Sequence, residues 1–549
     1  ERRITQGGYG ERQIYELVQN GADEMRGIEH GEIHVVLTQE RLYCANAGDP
    51  VTPEGADTIL RMSVSRKRGG QIGRFGVGVK SVLSISDTPQ FFSRSGSFGF
   101  DKGWAAELIR GVHPGADDTP VLRMARELDM EEESRIDPVL ADLLAWATTV
   151  VRLPLKSGSA DRLGRDLRNF PREFPLFSPH IGTVILEDRR GDLPVRRELF
   201  QKAGGTHVDL QETRFDGTDI TEKWRVFSTT VQPTVKALAA AGELHDRPEI
   251  DIAWAVQPGQ RRKRGSFWAY FPSNYETTLQ GIANAPWKTS EDRQNLFDNN
   301  AFNEELIVRM AELVIGALPE LVSEEDPGRI FDLLPARGDE EPQWAATRLV
   351  SAVWQEASRR PCLPDQSGIL RNPTEVGLPP KNLESRWLDL WAQYPGRPKN
   401  WCHHTLESRE RRNRVEIVIE KAGGSIATVR EWLEALVQDG TAEASAQALR
   451  IVADIVRSSS PLSKEACQAR ILRTESGDFV APVRGRVFRR SGTDHLDDDM
   501  LYVDDRMSDE FGIESALDTL GIHEADARGR FSAVVETTLV GQEFTGYND

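Results

Sequence analysis

The stretch ELVQNGADE, residues 16–24, places an acid, an amide and a second acid on one side of a short helix. Successive residues of an α-helix turn by about 100°, so Glu16, Asn20 and Asp23 share a face. The opposite face is apolar and consists of Ile14, Leu17, Val18, Ala22 and Met25. A polar face on a single helix usually meets solvent, and the motifs that follow it decide whether this one meets a ligand.

The composition is that of a globular chain with several domains. Its 549 residues are 39% hydrophobic, enough for a core in each domain. We find no run of 18 apolar residues and no signal-peptide pattern, so we expect no membrane partner. Four scattered cysteines without a CxxC pair fit a cytoplasmic location. Because the chain begins with Glu1 rather than Met, we expect the protein to extend further.

The net charge of −18 does not indicate nucleic acid as a partner, although local basic runs such as 66–68 could still act. The WCHH stretch at 401–404 has one cysteine and two adjacent histidines. It lacks a second pair of metal ligands, so we interpret it as incidental.

The hydrophobic pattern predicts an α/β organisation. A helix over 12–25 precedes strands at 32–37 and 41–45, further strands follow at 148–155 and 183–188, and residues 113–138 are interpreted as a peripheral excursion. The predicted domains are an α/β domain at 1–190, a second α/β domain at 191–325, and a mainly helical region at 326–549 with a small α/β portion. We find no internal repeat at a fixed period.

A glycine-rich loop lies at 69–81, with the sequence GGQIGRFGVGVKS. Glycine allows close approach of the backbone to a ligand, and exposed amides that enter a helix form an anion site. The spacing of Gly73, Gly76 and Gly78 matches neither a P-loop nor a dinucleotide-binding fingerprint. Alone, this pattern is weak.

A third motif is NAGDPVT, residues 46–52, which ends a predicted strand with Asn46 and places Gly48 two residues later. A small polar side chain at a strand end, followed by glycine, can read the edge of a flat base. Taken alone, the motif is more typical of a turn.

Together, the order and spacing of these motifs are specific. E-x-x-x-N on a helix, N-x-G after a strand and G-x-x-G-x-G, all within 80 residues, resemble the Bergerat-fold ATPases, the superfamily of gyrase, heat-shock chaperones, histidine kinases and mismatch-repair proteins. The amino-acid sequence of these motifs is most similar to that of the chaperone and sacsin-type branch. The resemblance covers about 9–155 and continues more weakly through 270–296, which looks like the transducer segment of such proteins. Beyond about 345 it is a loose similarity to the tails of sacsin-like proteins.

This resemblance implies a Bergerat-type α/β sandwich ATPase domain, followed by a transducer-like domain, with ATP and Mg²⁺ as ligands. Glu16 would be the general base, Asn20 the Mg²⁺ ligand, and Asp23 a supporting residue. The loop residues that would wrap the phosphates are Gly73, Phe75, Gly76, Val77 and Gly78, with Lys80 adding charge. Thr149 would help to hold the adenine side.

Two positions depart from the family's pattern. The family usually has an aspartate where this chain has Asn46, and a glycine where it has Pro50. The Asn46 amide can accept a hydrogen bond from adenine through its oxygen, or flip and donate one.

Lys288 and Arg293 flank an exposed KTSEDR loop in the transducer-like segment. Either is a candidate for the basic residue that reaches the terminal phosphate, and both can equally be surface charges. The basic run 66–68 lies in the segment that closes over nucleotide in relatives, and it can equally be an exposed loop.

The resulting hypothesis is a chaperone-like machine that binds and hydrolyses ATP, couples lid closure to its middle domain, closes as a homodimer and acts on a protein client. An alternative is an ATPase sensor or motor module of a larger bacterial protein for antiviral defence or nucleic-acid processing, with an appended effector domain. A third is a nucleotide-binding scaffold without hydrolysis, against which Glu16 argues.

Overall fold

The structure is a computed structural model that describes residues 12–60, 79–116, 119–242, 247–260, 264–290, 293–336, 340, 342–490, 500–531 and 535. The chain divides into two compact units. The first comprises Glu1–Ala317 with Leu333–Val353, and the second comprises Leu318–Asp332 with Trp354–Asp549. No helix among the described residues combines the length and the apolar character that crossing a bilayer requires.

The first unit is built on one mixed sheet of 14 strands, in the order β13-β12-β14-β11-β10-β9-β8-β7-β1-β2-β6-β3-β4-β5. Neighbouring strands are antiparallel except for β1 with β7 and β12 with β14. The strands are β1 Gly31–Leu37, β2 Arg41–Asn46, β3 Gln90–Ser93, β4 Phe98–Phe100, β5 Ala125–Glu127, β6 Thr149–Pro154, β7 Ile181–Asp188, β8 Val195–Gly204, β9 His207–Thr213, β10 Asp219–Val231, β11 Ile250–Val256, β12 Gly265–Trp268, β13 Pro272–Thr277 and β14 Ile282–Asn284.

The helices of this unit are α1 Gln13–Glu24, α2 Pro53–Leu60, α3 Lys102–Val112, α4 Met130–Ile136, α5 Pro138–Leu144, α6 Ser159–Arg168, α7 Val235–Ala239, α8 Ala301–Ala317 and α9 Trp344–Ala357, the last of which ends in the second unit. Helices α1 and α6 pack on one face of the sheet and α5 packs on the other. The predicted α/β class is therefore confirmed. The predicted boundary at 190 falls between β7 and β8, which pair with each other in the continuous sheet.

Helix α1 is held by an apolar core on one face of the sheet. Its buried residues Leu17, Val18 and Ala22 pack in the same cluster as Val35 of β1 and Cys44 of β2. Burial of a leucine or valine side chain contributes roughly 1.5–3 kcal/mol. The helix is therefore fixed by its apolar side, as the sequence pattern predicts, and its polar side is held in one orientation.

The same core extends past β7 into the later strands. Tyr15 of α1 stacks on Phe271 with ring centroids 4.5 Å apart, and Arg12 donates to the Pro272 carbonyl at 2.8 Å. Trp268 and Ile282 belong to the same buried cluster as α1. The strands β12–β14 thus share their core with helix α1.

The segment 113–138 contributes more than the peripheral excursion predicted for it. It forms β5 and α4, and its Asp137 is buried under the opposite face of the sheet. Asp137 accepts hydrogen bonds from the Tyr43 hydroxyl at 2.9 Å and from Arg152 Nη1 at 2.9 Å. Burial acts to raise the pKa of Asp137, but bonds from the Leu140 amide, Tyr43 and Arg152 leave it below its ordinary value.

The second unit carries short strand pairs between helices. The elements are β15 Leu363–Pro364, β16 Leu370–Arg371, α10 Ser385–Gln393, α11 Arg409–Lys421, α12 Val429–Leu436, α13 Ala442–Arg457, α14 Ser463–Ala466, β17 Leu472–Arg473, β18 Phe479–Val480, β19 Val487–Phe488, β20 Leu501–Tyr502 and α15 Ile513–Thr519.

This unit contains the same arrangement twice, once in residues 362–427 and once in residues 471–525. Each copy opens with a tight hairpin, β15–β16 or β17–β18. Three residue pairings follow in each copy, in the same order. In the first copy they are Asp365–Cys402, Gly377–Trp401 and Leu378–Ile426. In the second copy they are Thr474–Val503, Phe488–Tyr502 and Arg489–Glu524. The sequence spacing differs between the copies, so no fixed period marks this repeat.

The end of β2 is packed against the C-terminus of α1 through Gly48. The Asp49 amide donates to the Glu24 carbonyl at 2.9 Å, and a Cβ at position 48 would lie 2.7 Å from that carbonyl oxygen. Glycine is required here by space, since a methyl group at this distance forces two backbone segments apart.

We predict that Gly48→Ala lowers the free energy of unfolding by roughly 1–3 kcal/mol because the added methyl group overpacks this contact. Gly111→Ala in α3 is the matched control, because among the described residues no atom outside its own helix turn lies within 4 Å of a Cβ there. It should leave stability unchanged or raise it by up to about 1 kcal/mol. Denaturant unfolding of the two variants measures this difference, and equal stabilities would contradict the packing role of Gly48.

Candidate functional site

The polar face of α1 is largely buried. Glu16 and Asp23 are buried and Asn20 is partly exposed, although all three face away from the apolar core that anchors the helix. Carboxylates are rarely buried in proteins unless they are paired with a cation or a ligand. The face is therefore not an ordinary solvated helix surface.

Glu16 is paired with Arg293. The Nη2 atom of Arg293 lies 3.2 Å from Glu16 Oε1 and 3.4 Å from Oε2, and the two side chains are 4% and 9% exposed. Its Nη1 atom donates to Oε1 of Gln19, one helical turn from Glu16. Both outer nitrogens of the guanidinium are thus bound by α1, and this contact joins residues far apart in the chain.

Arg293 sits on a hairpin that holds it in a strained conformation. Thr289 bridges to Leu296, and the Phe297 amide donates to the Lys288 carbonyl at 3.0 Å. Arg293 itself has φ = 58°, in the left-handed region. A non-glycine residue there costs on the order of 1–3 kcal/mol, and such strain persists where the surrounding contacts outweigh it.

Lys288, the other candidate cation, points elsewhere. Its Nζ lies 5.9 Å from the centre of the Phe297 ring and occupies the space beside Gly242. Its backbone amide donates to Asn303 at 2.7 Å. The structure thus brings Arg293, and not Lys288, to Glu16.

Three neighbouring strands carry small polar side chains at the same edge, where β2 and β3 end and β6 begins. Asn46 of β2 is opposite Thr149 of β6, and Thr149 is opposite Ser93 of β3. The hydroxyls of Thr149 and Ser93 are 3.2 Å apart, and all three residues are buried. The structure therefore places the two predicted residues Asn46 and Thr149 side by side, and it adds Ser93, which the sequence did not single out.

The Asn46 amide has a fixed orientation. Its Oδ1 accepts a hydrogen bond from the Gly48 amide at 3.1 Å, which assigns the oxygen to that side. Its Nδ2 lies near Gly21 of α1 and has no hydrogen-bond partner within the described part of the chain. Asn46 therefore has a free donor, in addition to the second lone pair of its oxygen.

The C-terminal end of α1 is fixed by basic side chains. Asp23 lies 3.9 Å from the Arg26 guanidinium, and His180 donates through Nε2 to the Ala22 carbonyl at 2.7 Å. Burial lowers the pKa of His180, which favours the neutral ring. Burial also lowers the pKa of the Arg247 guanidinium, and Asp23 partly opposes this.

Several predicted residues are not described. Gly73, Phe75, Gly76, Val77 and Gly78 lie outside the described residues, as does the run 66–68. The backbone of Lys80 lies in the 3₁₀ helix Val79–Ser84. Their predicted roles stay predictions.

Sequence reasoning missed Gln19 and His180. The position of Gln19 three residues after Glu16 on one helix was a usable signal, because such residues are neighbours. His180 precedes a predicted strand and carries no comparable pattern.

The structure also contains a cavity whose lining does not include the polar residues of α1. A cavity of about 580 Å³ is lined by Phe170 and Phe215 together with several arginines, of which Arg197 is bound by Glu212 at 2.7 Å. In the part of the chain that the structure describes, no group of three His, Cys, Asp or Glu residues could hold a metal ion.

Comparison with known proteins gives a limited result. None of the protein-family models compared with the chain matches it. Protein NO VEIN of Arabidopsis thaliana is 34% identical over 110 residues. The matched stretch covers 19% of this chain and 4% of that protein, so the chain spans a small part of its relative.

We predict that Arg293→Ala lowers the free energy of unfolding by roughly 3 kcal/mol, because it leaves the buried Glu16 without its cation. Lys288→Ala is the matched control and should change stability by less than about 1 kcal/mol, since Lys288 is partly exposed. Denaturant unfolding measures both. A larger effect at Lys288 would show that the wrong cation has been assigned to the buried contact.

Proposed function

We propose that this chain is a Mg²⁺-dependent ATPase with a Bergerat-type nucleotide domain, in which α1 forms the floor of the nucleotide site. The observation that supports this most directly is the buried contact between Glu16 and Arg293. Phosphoryl transfer to water needs an oriented nucleophile and a cation for the charge on the phosphate, and it needs both at one point. Glu16 provides the carboxylate on α1, and Arg293 holds its guanidinium against it, so the two residues together meet this requirement.

Asn20 suits the role of magnesium ligand. It lies one turn after Glu16 on the same face and is partly exposed, so its amide oxygen can reach a ligand. Magnesium prefers oxygen ligands and commonly keeps several waters and substrate phosphates, so a single protein ligand is enough. When bound, the ion would neutralise phosphate charge.

The remaining residues fit binding at either end of the nucleotide. Asn46, Thr149 and Ser93 form a polar strip at the strand ends, suited to a flat base with hydrogen-bonding edges. The glycine loop, which follows in sequence, supplies the phosphate-binding backbone in this proposal. Adenine is the base that the family resemblance favours.

The fold supports coupling between this site and the strands beyond β7. Arg293 and Phe271, which follow β7 in sequence, contact α1, and Pro272 accepts a hydrogen bond from Arg12 at its N-cap. A change in the position of Arg293 on nucleotide binding would therefore be transmitted to a rigid, shared core. We propose that the work done is conformational, as in a chaperone, with a protein client and closure as a homodimer.

We predict that Glu16→Ala retains binding of Mg²⁺-ATP and loses at least about 100-fold in turnover, the usual contribution of a general base. Asn20→Ala should lose Mg²⁺-dependent binding, because its amide holds the ion. Phosphate release and calorimetric titration of ATP measure the two effects.

The matched control is Glu29→Ala, which removes an exposed acid just after α1. It should behave as the wild type in both assays. Turnover in Glu16→Ala equal to that of the wild type would refute the catalytic assignment.

A second prediction concerns the choice of base. Asn46→Asp keeps an acceptor for the Gly48 amide and replaces the free Nδ2 donor by a second acceptor. An acceptor matches the amino group of adenine, so the ratio of ATP to GTP affinity should rise about tenfold, or ~1.4 kcal/mol. Competition binding measures this ratio. An unchanged ratio would show that Asn46 does not face the base.

A further inference from the structure

Gln19 is buried in an unusual situation. It is 0% exposed on α1, and its carbonyl oxygen accepts a hydrogen bond from Arg293 Nη1. Its Nε2 is buried and has no hydrogen-bond partner among the described residues. Such a group normally costs stability, so a neutral apolar residue would be the better choice if packing alone were at stake.

Glu16 and Gln19 act on the two ends of the same guanidinium. The carboxylate faces Nη2 and the amide faces Nη1, and three residues of helix bring both to one face. A terminal phosphate that recruits Arg293 competes with both of these acceptors for the position and the charge of the guanidinium. The contacts that hold Arg293 on α1 therefore oppose its attraction to the terminal phosphate of a nucleotide.

We propose that Gln19 is a positioning residue that sets how tightly Arg293 is held on α1, and thereby how strongly the site prefers a nucleoside triphosphate to a diphosphate. This inference rests on the proposed function. A site whose competent state is only partly populated binds its ligand more weakly by that fraction. Weakening the hold on Arg293 frees it for the terminal phosphate, which the diphosphate lacks.

The test is the ratio of the affinities for AMP-PNP and ADP, each with Mg²⁺, measured by calorimetry on the full chain. Gln19→Met keeps the volume and removes the acceptor, so this ratio should rise about tenfold. Gln19→Glu provides a stronger acceptor and should lower it. Gln19→Glu also serves if Gln19→Met fails to fold.

Gln13→Met is the matched control, because Gln13 is also 0% exposed on α1 and is also bound by an arginine, Arg162, at 3.0 Å. The side chain of Gln13 bonds to Ser84 and Arg162, and that of Arg293 bonds to Gln19 and Glu16, so the affinity ratio should stay at the wild-type value. A structural effect of burying methionine in α1 would lower both affinities in both variants and leave the ratio unchanged.

A double-mutant cycle with Arg293→Met separates the hold on the arginine from simple charge effects. In that background neither Gln19 variant should alter the ratio. A ratio unaffected by Gln19→Met, or a change that persists without Arg293, would overturn this inference while the proposed function stands. Absence of binding of either nucleotide to the wild type would instead refute the proposed function, and the inference with it.

Discussion

The contact between Glu16 and Arg293 constrains the first unit more than any single apolar contact described above. Two charges that are almost fully removed from water stabilise the fold only when their geometry is good and their other groups are satisfied. That geometry requires α1 to be fixed in position and the hairpin 288–297 to approach it. The apolar side of α1 meets the first requirement, and the stacking of Tyr15 on Phe271 helps to meet the second.

The fixed position of α1 also explains the orientation of Asn46 at the end of β2. With α1 fixed on β1 and β2, the end of β2 must turn away beneath the helix C-terminus, and Gly48 is the residue that allows it. The turn directs the Gly48 amide to Asn46 Oδ1, so the orientation of the Asn46 side chain is set by the backbone and not by a ligand. Thr149 and Ser93 follow from strand register alone.

The sequence predicted the local parts of this arrangement well. The helix at 12–25 and the strands at 32–37 and 41–45 were confirmed almost to the residue, because their periodicity is strong. The sequence did not decide whether Lys288 or Arg293 is the basic residue of the site, since only the folded hairpin shows which side chain reaches α1. The peripheral interpretation of 113–138 was wrong for Asp137, whose partners Tyr43 and Arg152 are distant in sequence. The repeat in the second unit was not predicted, because the corresponding residue pairings of its two copies differ in sequence spacing.

The buried charge networks around Asp137 and around Glu16 differ in how well their members are accommodated. Around Asp137, Tyr43 and Arg152 donate to the carboxylate, and Arg152 also donates to Gln90 at 2.6 Å, with no left-handed residue among them. Around Glu16, the arginine has a left-handed backbone and the neighbouring Gln19 keeps a buried donor without a described partner. Selection for stability alone would remove such local conflicts, and they persist mainly where a second state uses the same groups. In the function proposed above, the network on α1 is the one that changes partners.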